Sequence, residues 1–430
     1  MRRQSVLASV CFVGALWGVL WTMPGPLTAA PATPTPVTSQ SVASDELVVG
    51  MSAAFSGASR SLGIELYRGS MAYLTEINRT GGVHGRQIRL LGYDDGYQPN
   101  AAVQNTLKLM LEDDVFLLFN YVGTPTVTRV LPLLKKYERL HFTLFFPFTG
   151  AQPHRELPYG PLAVNLRASY RQETKGLVDN FLSAGRSRIA VFYQADAYGR
   201  SGWVGVREAL AAQGLKIAGE ATYTRGTKFT ESLDRQVAIL QEIQPDAIVS
   251  IGAYEACAAF IRDARKAGLD VPIANVSFVG SESLLALLQT ASTADKRDYT
   301  INLVNSQVVP SYESATTPVV QEYRALMERH APAPPAGFGG DGYQVLPYSF
   351  VSLEGFLNAK LLVEVLKRLG PNPERAQIRS AVAGLSNIEL GMGTPVSFST
   401  ERNQGSDAIF YTTVRDGRFV PIEDWREWRK

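Results

Sequence analysis

Thr124, Thr126 and Thr149 are the residues best placed by type and spacing to do chemistry. They stand in two loops, Gly123-Thr124-Pro125-Thr126 and Phe148-Thr149-Gly150. Each loop follows a short apolar run, residues 115–119 and 142–146, that reads as a buried parallel strand. Ligands of open parallel sheets sit at the carboxyl ends of the strands. The hydroxyls and nearby backbone N–H groups could therefore converge on a carboxylate or another oxygen-rich group. The same threonines could equally be plain helix caps. No nucleophile–base pair accompanies them, so the chemistry is binding and not turnover. The other reactive residues add no reaction centre. His84, His141, His154 and His330 lack metal-ligand spacing to one another or to Cys257. Asp94-Asp95 reads as the cap of a turn rather than an acid–base pair. Gly81-Gly82-Val83-His84-Gly85 lies after a helix and before a strand, the reverse of a dinucleotide fingerprint. Ser56-Gly57 and Gly280-Ser281 lack the flanks of a nucleophile elbow, and Cys257 reads as a packed helix residue.

The elements that must position these loops alternate. Residues 46–52 form a strand that runs into Ala-Ala-Phe-Ser-Gly, whose small residues let backbone approach a ligand at Ser56. Residues 62–78 have helical periodicity, 87–93 a strand, 100–111 a helix. After residues 161–166 the alternation resumes: helices over 170–184, 198–213, 231–243 and 254–267, and strands over 188–193, 215–223, 247–251 and 271–276. Residues 299–309 read as a strand that could cross back, 319–329 and 343–369 as helices, 377–383 as a short helix, and 396–399, 409–415 and 417–420 as strands. The expected fold is α/β, with two doubly wound Rossmann-like lobes joined by a multi-strand hinge. The expected division is 45–165 plus 305–385 for the first lobe and 166–304 plus 386–425 for the second. Such a pair closes on whatever touches both halves.

The 430 residues suit two lobes of ~150 to 200 residues. The net charge of +2 offers no footprint for nucleic acid or an anionic membrane. Arg2-Arg3 followed by an apolar core over 6–21 and Thr28-Ala29-Ala30 reads as a signal peptide, residues 1–30; an uncleaved anchor is the rival, disfavoured by Pro24-Gly25-Pro26. Cys11 lies in that leader, so Cys257 would be alone in the mature chain, without an intramolecular disulfide. Residues 31–44, rich in Pro, Thr and Ser, read as a disordered tether.

Six short markers in order carry a resemblance: Phe55-Ser56-Gly57 with Gly63; the run from Glu76 to Gly85; Tyr93-Asp94-Asp95; Gly123-Thr124-Pro125-Thr126; Asp196-Ala197-Tyr198-Gly199; and Ala253-Tyr254 ahead of Phe260 to Arg265. Over residues 46–420 the chain resembles the periplasmic solute-binding proteins of ABC importers, the leucine/isoleucine/valine-binding class with the type I fold. The resemblance implies that Thr126 and Thr149 receive a ligand carboxylate, that Tyr198 and Tyr254 close over it, and that a position near Leu62 walls the side-chain pocket. One departure stands out. Where amino-acid binders of this class carry an acid for the ligand ammonium, the aligned position is near Ser277; Glu255 or Glu282 could substitute. A buried ammonium without a counter-charge costs several kcal/mol. Tyr121, Phe145, Phe146, Phe148 and Phe278 add an aromatic wall that favours an aromatic or apolar acid, though Phe145 and Phe146 also read as core.

The expected ligand set is Ser56, Leu62, Tyr121, Thr124, Thr126, Phe148, Thr149, Tyr198, Tyr254 and Ser277, with no metal and no cofactor. The expected protein is a periplasmic, monomeric receptor that hands a small organic solute (amino acid, amide or carboxylate) to an ABC permease. The alternative is a ligand sensor signalling to a separate partner. An exported hydrolase would need a Ser/His/Asp or Cys/His constellation that the sequence lacks.

Overall fold

The computed structural model describes residues 45–340 and 342–428. The expected leader and the Pro/Thr/Ser-rich tether lie outside the described residues. The first lobe is built from β1 (Glu46–Ala53), α1 (Arg60–Arg79), β2 (Gln87–Asp94), α2 (Pro99–Leu111), β3 (Leu117–Phe119), α3 (Thr124–Lys136), β4 (Leu144–Phe145) and β5 (Ala163–Val164). Its sheet runs β2-β1-β3-β4-β5, every pair parallel. The second lobe holds α4 (Tyr170–Ser183), β6 (Ile189–Gln194), α5 (Ala197–Ala211), β7 (Glu220–Tyr223), α6 (Asp234–Ile243), β8 (Ala247–Ile251), α7 (Tyr254–Lys266), β9 (Ile273–Asn275), α8 (Ser281–Asp295) and β10 (Leu303–Gln307). The chain then returns to the first lobe as α9 (Pro318–His330), α10 (Phe350–Leu369) and α11 (Ile378–Ala383), with α9 and α10 packed on α1. It ends in the second sheet with β11 (Phe410–Arg415) and β12 (Arg418–Pro421). That sheet runs β12-β11-β10-β9-β8-β6-β7, parallel from β7 to β10 and antiparallel through β11 and β12.

Both sheets are doubly wound, and each has a point where strand order reverses: between β1 and β3, and between β6 and β8. Loops leaving such strands diverge and open a crevice at their carboxyl ends. The chain crosses between the sheets at 165–169, 308–317 and 384–409. The first and last crossings are tied: Asn165 N–H donates to the Asn403 carbonyl (2.7 Å), Gly405 N–H to Asn165 (2.8 Å) and Ser406 N–H to Leu166 (2.9 Å). Two long helices meet under the first sheet with their backbones unusually close. Gly69 of α1 faces the Ser352 carbonyl and Gly355 of α10 faces the Leu66 carbonyl, and a Cβ at either would overlap that oxygen.

Several elements differ from the sequence reading. The helix expected from residue 343 starts only at Phe350, because Pro347 holds the preceding residue extended and Ser349 caps the helix by accepting the Ser352 N–H. Helix α8 went unread, although Leu284, Leu288 and Ala291 recur at helical spacing on its buried side. The strand expected over 215–223 begins at Glu220. The one over 299–309 is β10, inside the second sheet between β9 and β11. Residues 396–399 make only a bridge from Val396 to Ile388.

Candidate functional site

Seven strand-end loops meet between the lobes: those after β1, β2, β3 and β4 on one side and those after β6, β8 and β9 on the other. Asp94 and Asp95 organise the first two. The Asp94 carboxylate accepts the N–H groups of Phe55 (2.8 Å), Ser56 (3.1 Å) and Gly96 (3.0 Å) and the Ser56 hydroxyl (2.5 Å). Asp95 accepts the Ser52 hydroxyl (2.7 Å) and the Tyr97 N–H (2.8 Å), and burial pushes its carboxyl up to about 7. Ser56 is thus a loop-building residue whose hydroxyl is already committed.

The loop after β3 turns on Gly123. Its φ of 104° belongs to a region reserved for glycine, and a Cβ there would overlap the Tyr97 ring. The three threonines divide. Thr124 and Thr149 share a hydroxyl–hydroxyl hydrogen bond of 2.6 Å, and Thr149 also accepts the Ala151 N–H (3.2 Å). The Thr126 hydroxyl donates back to the carbonyls of Val122 (2.5 Å) and Gly123 (2.8 Å), which spends its proton on the loop. Tyr121 leaves the crevice: Asn120, at φ 55°, turns the chain, and the Tyr121 hydroxyl accepts the Thr106 hydroxyl of α2 (3.1 Å). Phe145 and Phe146 pack edge to face (5.2 Å between centroids) in the first lobe's core.

Phe148 faces the seam. Its ring lies 5.2 Å from Phe278 of the second lobe; Tyr97 lies 6.0 Å and Tyr198 4.6 Å from the same ring, and all four are buried. Asp196 accepts the Tyr198 N–H at the start of α5 (3.0 Å) and so fixes that ring. The Tyr198 hydroxyl donates to the Gly252 carbonyl (3.3 Å). At the other end of the seam, Tyr254 accepts the Ser61 N–H (3.4 Å), and Leu62 lies against Gly280.

Ser277 has a seat the sequence did not suggest. Its N–H and hydroxyl donate to Glu173 of α4 (2.8 and 3.0 Å), and it accepts from Arg167. Arg167 lies in the first crossing, 1% exposed along its side chain, with Glu173 of the second lobe at 3.5 Å and Glu354 of α10 at 3.4 Å. Its guanidinium rests 4.7 Å from the Phe148 ring centre. Burial alone would favour losing its proton, but Glu354 and Glu173 outweigh that and raise its pKa further. Burial pushes the Glu354 carboxyl up to about 7, with Arg167 opposing. Two atoms of the buried Arg167 guanidinium, Nε and Nη1, have no hydrogen-bond partner among the described residues, with Nη1 facing Glu354 at 3.4 Å. The Tyr170 hydroxyl lies beside the Thr124 side chain and the Gly150 backbone. Tyr170 packs on Gly150, next to the Thr124–Thr149 pair.

Arg167, Tyr170, Glu173, Glu354 and Tyr97 were missed in the sequence. A usable signal existed. Arg167 is a lone charge between Leu166 and Ala168, just ahead of the Ser169/Gln172 capping box that starts α4. Glu354 is likewise a lone acid on the buried face of α10. The acids named as substitutes are engaged elsewhere: Glu255 accepts the Phe229 N–H (2.8 Å) and Glu282 the Phe350 N–H (3.1 Å). The Cys257 thiol is buried beside Ser250 (3.2 Å) and pushed up to about 12, far from a nucleophile's range. The arrangement offers a guanidinium, hydroxyls and aromatic faces, with Glu173 engaged by Arg167 and Ser277 and the Glu354 carboxyl, pushed up to about 7, facing the same guanidinium. Such a set suits an anion with an apolar body.

The family model for periplasmic binding proteins matches residues 46–418. An amino acid binding protein of Pseudomonas aeruginosa is 23% identical over 324 residues, 73% of this chain and 78% of its own. The crystal structure of a possible leucine/isoleucine/valine-binding protein from Rhodopirellula baltica superposes with a TM-score of 0.78 at 29% identity, covering 93% of this chain and 100% of that one. A fatty acid ABC transporter substrate-binding protein from Thermomonospora curvata shares the fold, with a TM-score of 0.72 at 20% identity over 88% of this chain and 91% of its own. With two doubly wound lobes, strand-end loops meeting at one seam and a family match across nearly the whole described chain, this protein belongs to the periplasmic binding protein family and has the type I fold of the leucine/isoleucine/valine-binding proteins.

Proposed function

We propose that the protein is an exported, monomeric receptor that captures a small organic acid with an aromatic or otherwise apolar body between its lobes and delivers it to an ABC permease, without transforming it. The observation that carries this reading is Arg167: a fully buried cation at the seam, with Nε free of hydrogen bonds and the Tyr170 hydroxyl nearby, beside Thr124 and the Gly150 backbone. The Thr124–Thr149 hydroxyl pair and the Tyr97, Phe148, Tyr198 and Phe278 rings complete the set. A zwitterionic amino acid would bring an ammonium to a place where Glu173 and Glu354 already serve Arg167, and an unpaired buried charge is costly.

The test is a thermal-shift and calorimetric series of matched ligands: benzoate and phenylacetate, benzylamine, phenylalanine and leucine. The acids should raise the melting temperature by mass action while the amine leaves it unchanged. The Thr124→Ala, Thr149→Ala double variant should weaken acid binding by about 3 kcal/mol, since each hydrogen bond to a charged group is worth ~1.5–3 kcal/mol. Tighter binding of leucine than of every acid would defeat the proposal.

A further inference from the structure

A second concave site lies on the far side of the first lobe. A groove of about 740 Å³ is bounded by the end of α3, the loops entering β4 and β5, and the start of α11. His141 to Thr143 run directly into β4 and Pro161-Leu162 into β5, so this is the amino end of the sheet, opposite the crevice. The volume falls within the range of small-molecule sites.

Its chemistry is of two kinds. Phe142, Leu157 and Leu162 form an apolar wall, and Leu157 is 84% exposed, an unusual cost for a leucine beside charged neighbours. Around the wall stand Lys135, Arg139, His141, Arg375 and Arg379. Lys135 is neutralised by Glu138 (2.5 Å), and Arg375 by Asp114 (2.6 Å). Arg375 is also fixed in place: it donates to the carbonyls of Asp114 (3.0 Å), Val115 (2.8 Å) and Phe116 (3.2 Å), and its guanidinium sits 4.2 Å from the Phe142 ring centre. Arg139, His141 and Arg379 donate from their side chains to no carboxylate or carbonyl among the described residues. The groove therefore presents two arginines without a hydrogen-bonded counter-ion, next to a wall on which Leu157 is exposed and Phe142 and Leu162 are buried. Lys135 holds the Glu138 carboxyl below the usual range, and Arg139 is near enough to help.

We propose that this groove is a second ligand site, for a small amphipathic organic anion whose charged head meets Arg139 and Arg379 and whose apolar body covers Leu157 and Leu162. The site stands apart from the crevice and does not depend on what the crevice binds.

Methyl-resolved NMR tests this directly, with Leu157 and Leu162 reporting the groove and Leu62 the crevice. Decanoate and decyltrimethylammonium serve as probes, because they share an apolar chain and carry opposite head charges. Decanoate should shift the Leu157 and Leu162 methyls saturably, and decyltrimethylammonium should not. Arg139→Glu with Arg379→Glu should weaken the decanoate effect at the groove roughly tenfold or more and leave any response at Leu62 unchanged. Equal shifts with both probes, groove shifts that survive the charge reversal, or no groove shift up to the solubility limit would overturn the proposal.

Discussion

Glu354→Gln isolates the electrostatics of the seam. The Glu354 carboxyl is buried, and its pKa stands at about 7 against an ordinary 4.5. Burial is the larger cause and Glu173 adds to it; Arg167 at 3.4 Å only partly offsets them. The folded chain therefore keeps this proton up to about pH 7, while the unfolded chain releases it from about pH 4.5. Between those values the unfolded state binds fewer protons, so stability falls as pH rises. Carried over the whole interval, the effect is about 3 kcal/mol: fully absent below the unfolded pKa and complete once pH has passed the folded one. Glutamine keeps the shape and cannot ionise. Equilibrium urea unfolding of both proteins at pH 4 and pH 8 supplies the comparison. The stability of Glu354→Gln relative to wild type should rise by about 3 kcal/mol from the lower to the higher pH. Arg167 remains in both proteins, so the change with pH reports the carboxyl itself. If the two proteins kept a constant difference across that range, the carboxylate would be ordinary and the account of a charge-strained seam would be wrong.

Gly123→Ala should cost more than 2 kcal/mol, because a side chain at φ 104° is strained by ~1–3 kcal/mol and its Cβ would overlap the Tyr97 ring. Gly185→Ala is the control, with φ 77° and open space around the added carbon; urea unfolding of both should separate strain from overlap. Phe278→Ala should lower stability by about 3–5 kcal/mol, the usual range for a buried phenylalanine. Because two of its ring partners, Tyr97 and Phe148, belong to the other lobe, small-angle scattering should also show a larger radius of gyration. A drop in stability with an unchanged radius would mark Phe278 as second-lobe core alone.

The alternation of apolar strands and amphipathic helices determined that this chain forms two α/β lobes, because periodicity and turn residues are local properties. The strand-end loops could be found the same way: Thr124 and Thr149 were placed in one crevice from spacing alone, and they share a hydrogen bond. What local pattern could not decide was which way each side chain turns at a strand end. Tyr121 went to α2 because a single left-handed residue, Asn120, redirects the chain. Thr126 stands two positions from Thr124, yet its proton closes its own loop. The central charge was hidden for a different reason. Arg167, Glu173 and Glu354 come from a crossing segment, a second-lobe helix and a helix nearly two hundred positions further along, and each looks like an isolated charge in its own stretch. Only the packing of three distant segments into a low-dielectric seam turns them into one network, because burial forces charges to find partners that sequence distance conceals.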